Sequence, residues 1–270
     1  MRHQPLLPHQ QPPRPLSVAS PRWYRDALIA IILSCVFFTA AMVRAEGYNH
    51  APLDALLKKH VKGPSVDYQG LKKEAAALDA YLAPARQFNG RALSGEEGLA
   101  FWINMYNAWT LKLILTKYPE ISSIKDFGSV FSSPWDKEFV TIGGETLTLG
   151  EIEHKILRKE YRDPRIHFAI NCASRSCPPI LAEAYLPQTL EAQLDRATLD
   201  FINQNHNTHI KDGKLFVSRI FKWYKSDFKD TLGYVRQYAR GDLAKAFSQQ
   251  SRSPKVVYMA YDWSLNDTRP

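Results

Sequence analysis

The stretch SGEEGLAFWINMYNAWTLKLILTKY, residues 94–118, decides the fold class. Leu99, Trp102, Ile103, Tyr106, Trp109 and Leu113 recur at helical spacing, while Met105, Ala108, Leu111 and Leu115 make the opposite face apolar too. A helix apolar nearly all round belongs in the middle of a domain. Ser94 with Glu97 reads as a capping box that opens the helix, and Pro119 stops it. Asn104 and Asn107 interrupt the apolar surface. Buried amides need partners, either the backbone of neighbouring loops or a catalytic side chain that one of them orients.

Elements of both periods flank this helix. Residues from Pro52 to Lys59 and from Leu71 to Leu82 have helical spacing, and Glu138 to Leu149 reads as a hairpin turning at Gly143-Gly144. Thr148 and Glu151 form a second capping box, ahead of a helix with Ile152, Ile156 and Leu157 on its core face. His154 and Arg158, four apart, share another face. Residues from Arg165 to Ile170 (RIHFAI) predict a strand, and those from Pro178 to Ala184 a short helix opened by prolines. Leu190 to Asn203 is amphipathic, Lys214 to Val217 follows an Asp212-Gly213 turn as a strand, and Val256 to Ala260 is a last strand. The fold class is α+β, a helix-rich single domain with a small, mostly antiparallel sheet.

Of the 270 residues, 45% are hydrophobic and 23% charged, which excludes collagen-like, coiled-coil and wholly disordered chains. The formal charge of +8 is no nucleic-acid signal: five of 35 basic residues and one of 27 acids lie in residues 1–45, leaving an excess of only four. Residues 27–43 (ALIAIILSCVFFTAAMV) carry no charge, follow Arg22 and Arg25, and end at Val43-Arg44-Ala45, with small residues at −3 and −1 of a cleavage site. Residues 27–45 thus read as a signal peptide or a retained transmembrane anchor, and residues 1–26 as a disordered, cytoplasmic n-region rich in Pro and Gln. The arginines ahead of the run place residues 46–270 outside the cytoplasm, periplasmic and either soluble or anchored in the inner membrane by residues 27–43.

The densest polar cluster, from Arg165 to Pro179, carries His167, Cys172, Ser174, Arg175, Ser176 and Cys177. A thiol ahead of a helix start is favoured as a thiolate, which suits Cys172 as a nucleophile with loop N–H groups and Ser176 at an oxyanion position. His154 and His167 are the candidate bases, with Glu153 or Asn107 to orient the base. In a regular strand His167 faces away from Cys172, and neighbours on an α-helix, such as Glu153 and His154, do not face each other. Asn104, Arg158 and Arg165 are supporting candidates. Two cysteines five apart in an oxidising compartment can instead form a disulfide, Cys172 to Cys177. A metal site from both histidines and both cysteines matches no standard zinc spacing, and C-x4-C fits thiol exchange poorly.

Four motifs occur in order: FWINMYN at 101–107, IEHKILR at 152–158, DPRIHFA at 163–169 running into NCASRSCP at 171–178, and FKWYKSDF at 221–228. Together they resemble the family called domain of unknown function 547, found in bacteria and in plants, over roughly residues 94–228. The resemblance implies that the segments of Glu153-His154, His167 and Cys172 define the family, and it supplies no activity. Two functions stand open. One is an exported hydrolase or acyl transferase with Cys172 as nucleophile, acting on an envelope amide or ester. The other is a non-enzymatic envelope binding or structural module, with paired cysteines and with Trp135, Trp223, Tyr224 and Trp263 as a binding face. Neither requires a cofactor or a metal. The expected partner is an envelope substrate or component, with the membrane reached through the N-terminal segment if uncleaved, and no nucleic acid.

Overall fold

Residues 47–129 and 132–269 are described by a computed structural model. The N-terminal tail and the apolar run 27–43 lie outside them. Among the described residues no helix is long and apolar enough to cross a membrane.

The chain opens with α1 (Ala51–His60), a hairpin of β1 (Val61–Lys62) and β2 (Ser65–Val66), then α2 (Tyr68–Lys73) and α3 (Ala75–Leu82). The helical pattern of 71–82 is thus split at Glu74, whose backbone (φ −110°, ψ 21°) leaves the helical region. α4 (Gly95–Lys117) follows, and 17 of its 23 residues are buried, an unbroken run from Gly98 to Leu111 among them. This is the central helix that the sequence predicts. Its start differs, however. Gly95 takes a left-handed φ of +57°, and the Ser94 hydroxyl makes no capping bond.

Strands β3 (Val140–Ile142) and β4 (Glu145–Leu147) pair antiparallel about Gly143-Gly144, both at positive φ as the tight hairpin turn requires. The capping box at Thr148 does form: Glu151 N donates to Thr148 Oγ1 and Thr148 N to Glu151 Oε2, each at 3.0 Å. It launches α5, one α-turn (Leu149–Glu151) that widens into a π-helix (Ile152–Tyr161). Ile152, Ile156 and Leu157 are buried against the core as expected.

Two predictions are corrected next. Residues of the expected RIHFAI strand form a one-turn helix, α6 (Ile166–Ala169), whose four residues are all buried. A short, fully buried apolar run has no exposed face to fix its period, and Asp163 tips it towards a turn by accepting the Arg165 N–H at 2.8 Å. The expected helix after Pro178 is irregular chain. α7 (Leu190–Ile202) matches its predicted span closely.

The remaining strands, β5 (Thr208–Lys211), β6 (Lys214–Val217) and β7 (Lys255–Tyr258), form a three-stranded sheet ordered β5-β6-β7, antiparallel then parallel. Between β6 and β7 lie α8 (Ile220–Trp223), α9 (Lys225–Phe228), α10 (Thr231–Tyr238) and α11 (Gly241–Ser248). The class is α+β as predicted, with the strands in three small sheets rather than one. Two apolar clusters result, one around α4 and one joining α7 to this sheet and the last helices. The polar loop after α6 lies where the two meet.

Candidate active site

The loop bearing Cys172 is shaped from below by two asparagines. Asn107 on α4 donates from Nδ2 to Ala169 O (2.9 Å) and accepts Asn171 N–H on Oδ1 (2.8 Å). Asn171 in turn donates to Pro178 O (2.7 Å) and accepts Ala173 N–H (2.7 Å). That last bond holds Ala173, a fully buried non-glycine residue, at φ +57°. Left-handed backbone at a residue with a Cβ is unfavourable unless neighbours impose it, and here it sets the direction of the preceding side chain, Cys172.

Cys172 is half-buried, and it and Cys177 are both thiols. Ser174 Oγ lies 3.1 Å and Tyr261 Oη 3.3 Å from Cys172 Sγ. Burial opposes the thiolate, but donors from Cys177, Ser174 and Tyr261 outweigh it and bring the Cys172 pKa below the usual thiol value. Burial and the adjacent Cys172 push the Cys177 thiol well up. The helix start expected to activate Cys172 is absent, and hydroxyl and thiol donors take its place.

The loop amides divide: that of Ser174 is directed at the Cys172 sulfur, and four others are spent within the protein. Ala173 N is taken by Asn171, Arg175 N by Ser264 O, Ser176 N by Asp262 O and Cys177 N by Ser174 O. Ser176 Oγ accepts Asp262 N–H at 2.9 Å, which ties it to the C-terminal segment. Ser174 and Tyr261 stand beside the sulfur instead.

His167 is buried on α6, with Nε2 2.8 Å from Asp227 Oδ2. Because the carboxylate accepts, Nε2 carries the proton and Nδ1 holds the lone pair of the neutral ring. Burial lowers the His167 pKa against the raising effect of Asp227, so the ring is neutral at pH 7. Asp227 is gripped by Arg158 through Nε (2.6 Å) and Nη2 (2.9 Å), and its acidity is well above that of a free carboxyl: these bonds and the one to His167 outweigh burial. Tyr224 stacks on the His167 ring at 3.8 Å between centroids.

Glu153 and His154 stand on the π-helical part of α5. Its i→i+5 bonds widen the turn and rotate successive residues less about the axis than an α-helix does. Glu153 is nevertheless buried and His154 exposed, with Glu153 Oε1 4.0 Å from His154 Nδ1 and no hydrogen bond between them. The same nitrogen accepts from Arg158 Nη1 at 3.2 Å, which puts the proton of neutral His154 on Nε2. His154 thus presents a donor, and the lone pair needed by a base belongs to His167. Glu153 is 3% exposed, and its Oε2 accepts from Tyr106 Oη at 3.3 Å.

Cys172, Cys177, His167, His154 and Glu153 all line one cavity of about 390 Å³, with Trp135, Trp223, Tyr224, Tyr261 and Trp263 around them. Four of the predicted site residues are thereby brought together, although no hydrogen bond joins His167 to Cys172. The supporting candidates separate. Arg158 holds Asp227 and Asn107 shapes the loop. Asn104 pins Tyr185 through both amide groups, at 2.8 and 2.9 Å, and Arg165 is spent on Asp163, Glu191 and Asp195. Sequence reasoning missed Asp227, Ser174 and Tyr261. Asp227 stands in the motif FKWYKSDF, so its segment was visible and its role was not.

Residues 91–202, the segment that carries α4, α5 and the Cys172 loop, match the family model described as "Protein of unknown function, DUF547". No curated protein and no solved structure matches the chain.

Proposed function

We propose that this protein is an exported cysteine-dependent hydrolase or acyl transferase acting on an amide or ester of the cell envelope. The observation that carries the reading is Cys172, a thiol of lowered pKa on the wall of a cavity shared with a neutral histidine held by Asp227. In the reaction, His167 Nδ1 takes the thiol proton as the Cys172 sulfur attacks the carbonyl carbon and a C–S bond forms. Tyr261 and Ser174 hydroxyls donate to the oxyanion. The bond to the leaving alcohol or amine breaks as His167 Nδ1 passes it the thiol proton. Water, or an acceptor alcohol or amine, gives a proton to the same nitrogen and attacks the thioester, and Cys172 leaves as a thiol. Export rests on the apolar run 27–43 and its arginines.

The test is reaction with p-nitrophenyl acetate, followed by released nitrophenol and by intact mass. One acetyl group on Cys172 and continued turnover, both lost in Cys172→Ala, are expected. Absence of acylation in the reduced chain would overturn the proposal. A chain isolated from its native compartment two hydrogens light, with no reactive thiol before reduction, would favour the disulfide-bonded binding module.

A further inference from the structure

The whole chain is basic, yet among the described residues no lysine or arginine lines the cavity, where the carboxylates are Glu153 and Asp136. Asp136 is exposed at the mouth, and Glu153 is buried within. The nearest cation, Arg158, is committed to Asp227 through Nε and Nη2 and to His154 through Nη1. Its charge reaches Glu153, but no ion pair joins the two. The ion-pair contact of Glu153 is His154 Nδ1 at 4.0 Å, a nitrogen already accepting from Arg158 and so without a proton to offer. The hydrogen bond from Tyr106 is a neutral one. Glu153 is thus a buried acid whose hydrogen bonds come from the neutral Tyr106 and Tyr224 hydroxyls, with no lysine or arginine paired to it among the described residues.

The walls beside it are aromatic. Trp223 packs against Trp263 at 5.5 Å and Tyr261 at 4.8 Å between ring centroids, and Trp135 meets Trp263 at 5.8 Å. Indole faces attract organic cations, and Lys125 Nζ already lies 4.2 Å from the Trp263 ring on the outside. Resting on the cysteine chemistry above, we infer that the acyl compound taken by this site carries an ammonium group, held by the Glu153 carboxylate within the tryptophan-walled cavity. An anionic substrate would meet two carboxylates and no free cation, so the same arrangement excludes acidic acyl groups.

The test uses three methanethiosulfonates of similar size on the reduced full chain: a trimethylammonium-ethyl reagent, a sulfonatoethyl reagent and the uncharged methyl reagent. Rates at Cys172 are read by peptide mass and divided by those of each reagent with 2-mercaptoethanol. Cys172 should prefer the cationic over the anionic reagent by about tenfold or more at low salt, the range expected of charge steering into a cleft. Glu153→Gln should reduce that preference several-fold, and Glu153→Asp should retain most of it. Equal rates for the two charged reagents on the native chain would overturn the inference, whether or not the variants fold. A preference abolished by Asp136→Asn but kept in Glu153→Gln would overturn the assignment to Glu153. The uncharged reagent reports the thiol alone, so a slow, ordinary Cys172 fails the nucleophile reading while the charge ratio still answers for Glu153.

Discussion

Asn104 and Asn107 lie one helical turn apart on α4, equally buried and equally saturated, and they serve different things. Asn104 clamps the backbone of Tyr185, far from the cavity; Asn107 clamps Ala169 and Asn171, the two ends of the turn that leads into Cys172. Above Asn107 the cavity wall behaves differently. His167 keeps an unused nitrogen, Glu153 is answered by neutral groups, and Cys172 can become an anion. Here the saturated asparagines build the fold, while His167, Glu153 and Cys172 face the empty volume. Burial alone does not separate the two kinds, since Asn107 and Glu153 are 2% and 3% exposed.

The sharpest break of this comparison is Cys172→Ala, which should reduce turnover of an activated ester by about a thousandfold or more while leaving the melting temperature nearly unchanged. Asp227→Asn should slow acylation by about a hundredfold by disturbing the tautomer of His167. It should also cost roughly 2 kcal/mol in denaturant unfolding, because the Arg158 guanidinium loses its charged partner. Asn104→Ala and Asn107→Ala should each destabilise by about 3 kcal/mol, since each orphans one buried N–H and one buried C=O. Only Asn107→Ala should also slow Cys172 alkylation. Equal effects on alkylation would show that the loop does not depend on the asparagine beneath it.

The smallest effects concern pH. Iodoacetamide should modify Cys172 with a midpoint below the ordinary thiol value of about 8.5, and spare Cys177. His167 binds its proton less readily in the folded than in the unfolded chain. Its contribution to stability is therefore full above the unfolded pKa of about 6.5 and declines as pH falls towards the folded value. Asp227 adds a second acid loss, beginning below about pH 4, because its folded pKa lies under its unfolded one. Melting temperatures between pH 5 and 7 should show the His167 slope, and His167→Gln should flatten it.

Elements with clear local signals were legible: α4, α7, the hairpin at Gly143-Gly144, the strand after Asp212-Gly213, and the capping box at Thr148. Others were not. Residues 166–170 are all buried in the fold, His167 included, so the alternation in RIHFAI carried no information about which face was inside. The Ser94 box failed because Gly95, free to take positive φ, turned the chain away from it. The π-helix leaves no mark in the spacing of Ile152, Ile156 and Leu157, which suits an α-helix equally. The cavity residues were legible as types and not as partners. A cysteine, two histidines and a glutamate within 20 residues are visible in any reading, but Asp227 and Tyr261 come from 55 and 89 residues beyond Cys172.

By itself the sequence determined the fold class, the central helix, the match of residues 91–202 to a family model and the thiol, because these follow from local periodicity and from residue identity. Tertiary structure alone decided which histidine keeps a free lone pair, which serine stands beside the sulfur, and that the aromatic residues and Cys172 share one cavity. Protonation, tautomer and charge depend on what lies within a few ångströms, and chain spacing does not encode that distance across two separate apolar clusters.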